Sequence, residues 1–302
     1  MIGRVSDIDI RLLRVFVAVV DAGGFSLAVP RLNVAESTVS QHMSDLEKRI
    51  GMRLCERGRG GFRVTRDGAQ VYTQAIQLLD HLEHFRDELS SIKNELSGTL
   101  RVGLTDGLIT EDDFRVAERL TEFAELQPTI KLEITIRSPR LLERAVYDGE
   151  SDIAIGAQHR RVSGLGFKPL FEERNNLYCG RANPLFERDE ADISSRDIAQ
   201  QKRLARGYLD RFDSQFFPEQ GHAATVHHIE AAAMLILKGT FVGFLPEHYA
   251  RPYVDKDELR VLRPDVFTFR SSIGLITKSD RKDEPRSMAL SAFLRSSIPN
   301  PG

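Results

Sequence analysis

Near the start of the chain, apolar residues fall at Ile8, Leu12, Val15, Phe16 and Val19, the spacing of one helix face. The run Asp21-Ala-Gly-Gly24 breaks that pattern, and Ser26 is placed to cap a short helix over about residues 27–32. A turn through Asn33-Val34-Ala35 then leads into a longer helix over about 36–50. There Val39, Met43, Leu46 and Ile50 recur at four, three and four residues and should face the core. Ser37, Thr38, Ser40, Gln41 and Ser44 are left pointing outward. Two short helices joined by a tight turn form a helix-turn-helix, whose second helix can enter the major groove. Hydroxyl and amide side chains can donate and accept at base edges, and Gln can pair with adenine at two points. Taken alone, the same face also fits a merely solvated helix surface.

The next segment, LCERGRGGFRVTRDG (54–68), reads as two short strands around the turn Gly58-Arg-Gly-Gly61. Between Lys48 and Arg66 the basic residues are Lys48, Arg49, Arg53, Arg57, Arg59, Arg63 and Arg66, with Glu56 as the one acid, a local charge of +6. A basic hairpin directly behind a helix-turn-helix is a wing suited to phosphate and minor-groove contacts. Beyond it, Thr65 is placed to cap a long helix over about 66–96. On that helix Val71, Ala75, Leu78, Leu82, Phe85, Leu89, Ile92 and Leu96 keep an unbroken 4-3 spacing, the pattern of a two-helix seam. The alternative is a single helix packed on its own domain; its length favours a dimer, which would set two reading helices on one duplex. His81 and His84 lie three apart, but with no third ligand nearby they read as solvated surface rather than a metal site.

From Gly98 the texture changes. TLRVGL, IKLEITI and SDIAIG read as strands separated by helical segments at 112–126 and 139–148, the alternation of parallel strands with crossover helices. A second set follows, FKPLF, NNLYCG, KRLARG, AATVHH and TFVGFLP, with a helical run at 229–238. FRSSIGLITK (269–278) is the last strand-like stretch and precedes a helix near 284–296.

A chain of 302 residues with 28% charged and 41% hydrophobic residues has room for two domains and is not of disordered composition. Its net charge of −2 points to no partner by itself, and the basic segment 48–66 is what admits nucleic acid. Cys55 and Cys179 form no C-x-x-C pair, which suits a reducing compartment without a disulfide or structural zinc. RLLRVFVAVV (11–20) is too short and too basic to span a bilayer and has no small-residue cleavage signal, so a cytoplasmic protein without membrane attachment is expected.

The run LLRVFVAVVDAGGFSLAVPRLNVAESTVSQHMSDLEKRIGMRLCERGRGGFRVTRDG resembles the DNA-binding domain of LysR-type transcriptional regulators. The resemblance implies an α plus α/β chain: a winged helix-turn-helix over 1–65, a linker and dimerisation helix over 66–97, and a two-lobed periplasmic-binding-protein-like α/β effector domain over 98–302. Lobe one would hold about 98–160 and 268–302, lobe two about 161–267, with hinge crossings near 160 and 267. Implied with it are a homodimer through the linker helix, a homotetramer, a pseudo-palindromic double-stranded operator and RNA polymerase as a further partner. No metal or cofactor is expected, only a small-molecule co-inducer. The lobes show no nucleophile–base constellation and no phosphate-loop pattern, which weighs against an enzyme or a plain solute-binding protein built on the same fold.

The DNA-contact candidates are Arg31, Glu36, Ser37, Thr38, Ser40, Gln41, Arg57, Arg59 and Arg63. Two positions depart from the family pattern. Ala35 stands where Ser or Thr usually caps the reading helix, a loss of about 1 kcal/mol. Glu36, where Gln is frequent, would offset part of that through the helix dipole, by roughly 0.3–1 kcal/mol, or would accept from cytosine N4. Pro30 also falls inside the first helix of the unit; with Ser26 as cap it would cost at most one backbone bond. In the effector domain, ligands are expected at carboxyl ends of strands and at helix N-termini. That places Thr105, Asp106, Ser138, Pro139, Gly156, Ala157, Gly207, Tyr208, Val226 and His227 at the site. Arg137, Arg140 and Arg206 could attract an anion there, while Asp106, Glu111, Asp112 and Asp113 crowd one helix start and oppose it.

Overall fold

The computed structural model describes residues 6–58, 61–91, 96–158, 161–209, 215–217, 221–279 and 284–296, with all their side chains except those of 57, 58, 83, 84 and 86–91. The chain divides into two compact units, Met1–Ile92 and Lys93–Gly302.

The first unit begins with α1 (Asp7–Ala22), opened by Ser6, whose N–H and hydroxyl both donate to Asp9 Oδ2 at 2.8 and 2.7 Å. Gly23, at φ 74°, ends the helix in a left-handed turn that a side chain would strain. The short helix α2 runs Phe25–Leu32 and is capped by Gly24, two residues before the expected Ser26 cap. Pro30 therefore lies past the first turn, and the helix forgoes its bond to the Ser26 carbonyl. Helix α3 (Glu36–Ile50) buries Val39, Met43, Leu46 and Ile50, the face its periodicity indicated. These meet Leu12, Val15, Phe16 and Val19 in one core. Ile8, expected on that face, is 42% exposed; the buried group of the first turn is the Asp9 carboxylate, which Arg49 holds from α3.

Strands β1 (Cys55–Gly58) and β2 (Gly61–Val64) pair antiparallel, Cys55 opposite Val64 and Glu56 opposite Arg63. Phe62 packs edge-on against Phe25 with ring centroids 5.8 Å apart, so Arg63 on the next position faces outward. Helix α4 (Arg66–Ser91) is capped by Thr65, whose hydroxyl accepts from Gly68 N–H at 2.9 Å. The heptad pattern divides along it. Val71 and Ala75 pack on the core of their own unit, whereas Phe85 is 58% exposed. Leu96 belongs to the second unit and packs against its first core, while the side chains of Leu89 and Ile92 lie outside the described residues.

In the second unit, β3 (Gly98–Leu104), β4 (Ile130–Ile136) and β5 (Ile153–Ala157) are parallel, with β3 central. Helices α5 (Val116–Leu126) and α6 (Pro139–Asp148) are their crossovers. The expected helix from 112 starts at Val116, because the Glu111 carboxylate takes the N–H groups of Asp113, Phe114 and Arg115, each at 2.9 Å, and holds that stretch as a turn. FKPLF and NNLYCG, read as separate strands, form one, β6 (Leu165–Gly180).

Strand β11 (Thr268–Lys278) lies between β5 and β6 and pairs antiparallel with both. The first half of β6 contributes Leu165, Phe167, Leu170 and Phe171 to the cores around β3 and β5. Its second half pairs instead with β9 (Val242–Pro246) and β10 (Leu259–Val261), and Leu177 and Cys179 enter a different core. The chain thus passes between lobes inside β6, not at a loop near 160, and returns along β11. Lobe two is completed by α7 (Ser195–Ala199), the parallel pair β7 (Leu204–Arg206) and β8 (Ala224–Val226), α8 (Ile229–Leu237) and α9 (Glu247–Val254). Helix α10 (Pro285–Ser296) packs Leu290 and Leu294 on the lobe-one core. Among the described residues no single helix is long and apolar enough to cross a membrane.

Gly68 is where α4 meets the hairpin: a Cβ there would lie 2.1 Å from the Leu54 carbonyl oxygen. Gly68→Ala must push backbone apart, and the expected loss is about 1–3 kcal/mol. A thermal melt showing an unchanged midpoint for this variant would contradict that packing.

Candidate nucleic-acid interface and inter-lobe cleft

The outward face of α3 carries Glu36, Ser37 and Gln41 exposed, with Thr38, Ser40 and Ser44 half-buried. Ala35 occupies the cap position at φ −65° and ψ 149° with no side-chain acceptor to offer. Glu36 is the first helical residue and the only acid of the first turn, so its charge meets the positive helix end. Gln41 Nε2 donates to Asp45 Oδ1 at 2.9 Å, one turn on, and Asp45 also stands 3.8 Å from Lys48 Nζ. That bond orients the Gln41 amide.

The basic run is thinner than its sequence count. Arg49 reaches back to Asp9 with two bonds, Nε to Oδ1 at 2.5 Å and Nη2 to Oδ2 at 2.9 Å, and this contact holds the Asp9 carboxyl well below the usual carboxylate range. Arg31 Nη1 lies 3.0 Å from Asp21 Oδ2, and the same carboxylate takes the Tyr72 hydroxyl, whose pKa is pushed up to about 12 by that bond and by burial. Arg63 is exposed on β2, across from Glu56. The Arg57 side chain and Arg59 lie outside the described residues, as does the His84 side chain.

Two residues that the spacing could not single out join these parts. Glu47, on the inner side of α3, accepts from Leu54 N–H at 2.7 Å and Cys55 N–H at 3.1 Å, fastening the hairpin to α3. Arg53 lines a groove with Ser40, Ser44 and Cys55, between helix and hairpin.

The second unit holds a narrow cleft where the lobes meet. Thr105, Pro139, Ala157 and Tyr208 line it as expected. Ser138, only 6% exposed, caps α6 beside it, and Gly156 backs the wall, where a Cβ would come 3.1 Å from Leu142 Cδ1. Gly207 packs against His227, which is exposed; neither Val226 nor His227 lines the cleft. Val226 packs instead on the lobe-two core with Ile229, and it is Ile229, at the start of α8, that lines the cleft.

Asp106 acts across the lobes. Its Oδ2 accepts from Ile229 N–H at 2.5 Å, at the N-terminus of α8, with His228 Nδ1 3.5 Å away. Of the other acids of that helix start, Glu111 is taken locally by three backbone N–H groups, and Asp112 lies 3.2 Å from Arg251 of lobe two. Arg137 pairs with Glu150 and, like exposed Arg140, does not line the cleft. Arg206 does.

Arg206 is 3% exposed. Its Nη2 donates to Asn175 Oδ1 at 2.5 Å, its Nη1 lies 3.5 Å from the Tyr208 hydroxyl, and its Nε has no hydrogen-bond partner among the described residues. Burial pushes the Tyr208 phenol up to about 12. From Asn175 the polar chain continues: Nδ2 to Glu173 Oε1 at 3.1 Å, Glu173 Oε2 to His248 Nε2 at 3.3 Å, and His248 Nδ1 to Thr110 Oγ1 at 2.9 Å. Glu173 also lines the cleft, with Ser271 and Ile273 from β11. Position in the middle of long strands hid these residues from a search of strand ends.

Comparison with known proteins places both units. Residues 10–69 match the family model described as bacterial regulatory helix-turn-helix protein, lysR family, and residues 93–299 match that of the LysR substrate binding domain. The chain is 37% identical over 282 residues to the HTH-type transcriptional activator BauR of Pseudomonas aeruginosa, covering 93% of this chain and 92% of that one. Its fold is similar to the crystal structure of the LysR family regulator CbnR, at TM-score 0.68 and 19% identity over 96% of this chain and 99% of that one. Full-length CbnR complexed with its target DNA matches at TM-score 0.67, with the same identity and shares.

The bonds made by Glu47 yield a prediction. Glu47→Ala leaves two N–H groups of buried residues without an acceptor, at about 1–3 kcal/mol for a group left so. A lowered melting midpoint is expected, with added amide exchange at Leu54 and Cys55; unchanged exchange there would exclude this fastening.

Proposed function

This chain belongs to the LysR family of transcriptional regulators, and from that premise we propose which of its residues read DNA and which meet the effector. It is a DNA-binding regulator with an N-terminal helix-turn-helix and a C-terminal effector-binding domain, and not an enzyme. The observation that carries the reading is the split of α3 into a buried apolar face and a polar face. Ser37, Thr38, Ser40 and Gln41 read base edges, and Glu36 contributes at the helix start. Arg63, with Arg57 and Arg59 beside it in sequence, contacts phosphates, and Arg53 joins them from the groove. Arg31 orients the unit through Asp21.

The small-molecule effector binds between the lobes, against Thr105, Ser138, Pro139, Ala157, Arg206 and Tyr208. Because β6 and β11 run through both lobes, closure about them changes the angle between the two cores, and effector binding biases that angle. Two copies associate through α4, where the exposed Phe85 supports the seam, and a tetramer of two such pairs occupies a pseudo-palindromic operator. The division into 1–65, 66–97 and 98–302 is the working one, RNA polymerase is a further partner, and the protein acts in the cytoplasm.

Gel shifts with the full chain across a salt series test the DNA surface. Arg63→Ala is expected to weaken binding to every sequence and to lower the slope of log affinity on log salt by about 0.9, one phosphate contact. Gln41→Ala instead relaxes choice at one base pair, costing about 1–3 kcal/mol of discrimination. Loss of neither property would remove α3 and the hairpin from the interface. Glu36→Gln distinguishes its two roles: a changed preferred operator means base reading, and an unchanged operator with a lower melting midpoint means support of the helix start.

A further inference from the structure

Arg206 brings a guanidinium into the protein interior with no carboxylate among its hydrogen-bond partners and its Nε–H without an acceptor, among the described residues. A buried charge left in that state is costly, and the cost is relieved when a counter-ion arrives with matching geometry. Arg206 is part of the wall of the inter-lobe cleft. On the same wall, 7% exposed, stands the carboxylate of Glu173. The two do not neutralise each other directly, for Asn175 stands between them, accepting from Arg206 and donating to Glu173. Each oxygen of Glu173 accepts one protein contact, from Asn175 or from the His248 ring, and a carboxylate oxygen has room for a second.

A cleft with both charges held apart selects against a ligand carrying only one. A plain carboxylate would satisfy Arg206 and lie against Glu173; a plain amine would do the reverse. We infer that the effector of this cleft is a small zwitterion, an aliphatic amino acid with its carboxylate on Arg206 and its ammonium on Glu173. Thr105 and Ser271 supply the remaining polar contacts, while Ile229 and Ile273 close over the carbon chain. The ligand also reaches the lobe contact, because Glu173 leads through His248 of lobe two to Thr110 of lobe one. An ammonium on Glu173 competes with that ring, so occupancy is felt at the edge where the lobes touch. This inference rests on the placement of the effector between the lobes.

The test is calorimetric titration of the full-length protein with alanine, 4-aminobutanoate, butanoate and butylamine, repeated on Arg206→Gln and Glu173→Gln. Expected is binding of at least one of the two zwitterions and of neither singly charged compound. Arg206→Gln is expected to weaken that binding about 30-fold or more, and Glu173→Gln to reduce the advantage of the zwitterion over butanoate. Because the comparison among ligands is made on the unaltered protein, it holds even where a variant fails to fold. Binding of butanoate as tight as 4-aminobutanoate, or of none of the four at millimolar concentration, would overturn the zwitterion. Zwitterion binding that both variants leave unchanged would instead overturn the cleft as the site.

Discussion

Two long antiparallel strands, β6 and β11, organise the effector unit, since each gives one half to either lobe. Residues of β6 up to Phe171 pack with the cores around β3 and β5, and residues from Leu177 onward pack with a separate core. At the changeover the register shifts between Ile273 and Gly274, and a Cβ at Gly274 would lie 2.4 Å from the Lys168 carbonyl oxygen. A bulge with glycine lets the two strands bend and twist together where the lobes separate. The cleft lies across this stretch, with Glu173 from one strand and Ser271 and Ile273 from the other. Residues that line the cleft and the strands that join the lobes are thus neighbours on the same backbone.

Around that axis, polar groups are buried in a connected row. Arg206, Asn175, Glu173, His248 and Thr110 are linked in sequence by hydrogen bonds, and the row ends on the opposite lobe. Buried polar groups are tolerable when paired, and a network with one unused donor is under pressure to complete itself. Asp106 makes a second, independent contact between lobes at the start of α8, where the helix end favours its charge. With the pair of Asp112 and Arg251, three polar contacts therefore join the lobes around the cleft.

The DNA-binding unit follows a different economy. Its apolar core orients α3, and the exposed face owes its position to that burial. Acids then trim the positive charge: Asp9 takes Arg49, Asp21 takes Arg31, and Asp45 lies beside Gln41 and Lys48. The Asp9 contact spans α1 and α3, so part of the basic segment serves to tie the helices together rather than to attract phosphate.

Periodicity located the longer helices and most strands of both units, because 3.6-residue and two-residue repeats are imposed by burial of one face, but it did not single out α7, α9 or β10. It was also sufficient for α3: Val39, Met43, Leu46 and Ile50 are buried where their spacing put them, and Ser37 and Gln41 are outside. Local pattern misplaced Ser26 as a cap and split β6 in two, since a glycine start and an unbroken strand carry no distinct local signal. What only the folded chain decided was pairing at long range. Arg49 belongs with Asp9 forty residues away, Arg206 with Asn175 thirty-one away, and Asp106 with Ile229. A charge in sequence has sign and spacing but no partner; its partner is chosen by which elements the cores bring together, and that choice determines whether it faces solvent, DNA or a ligand.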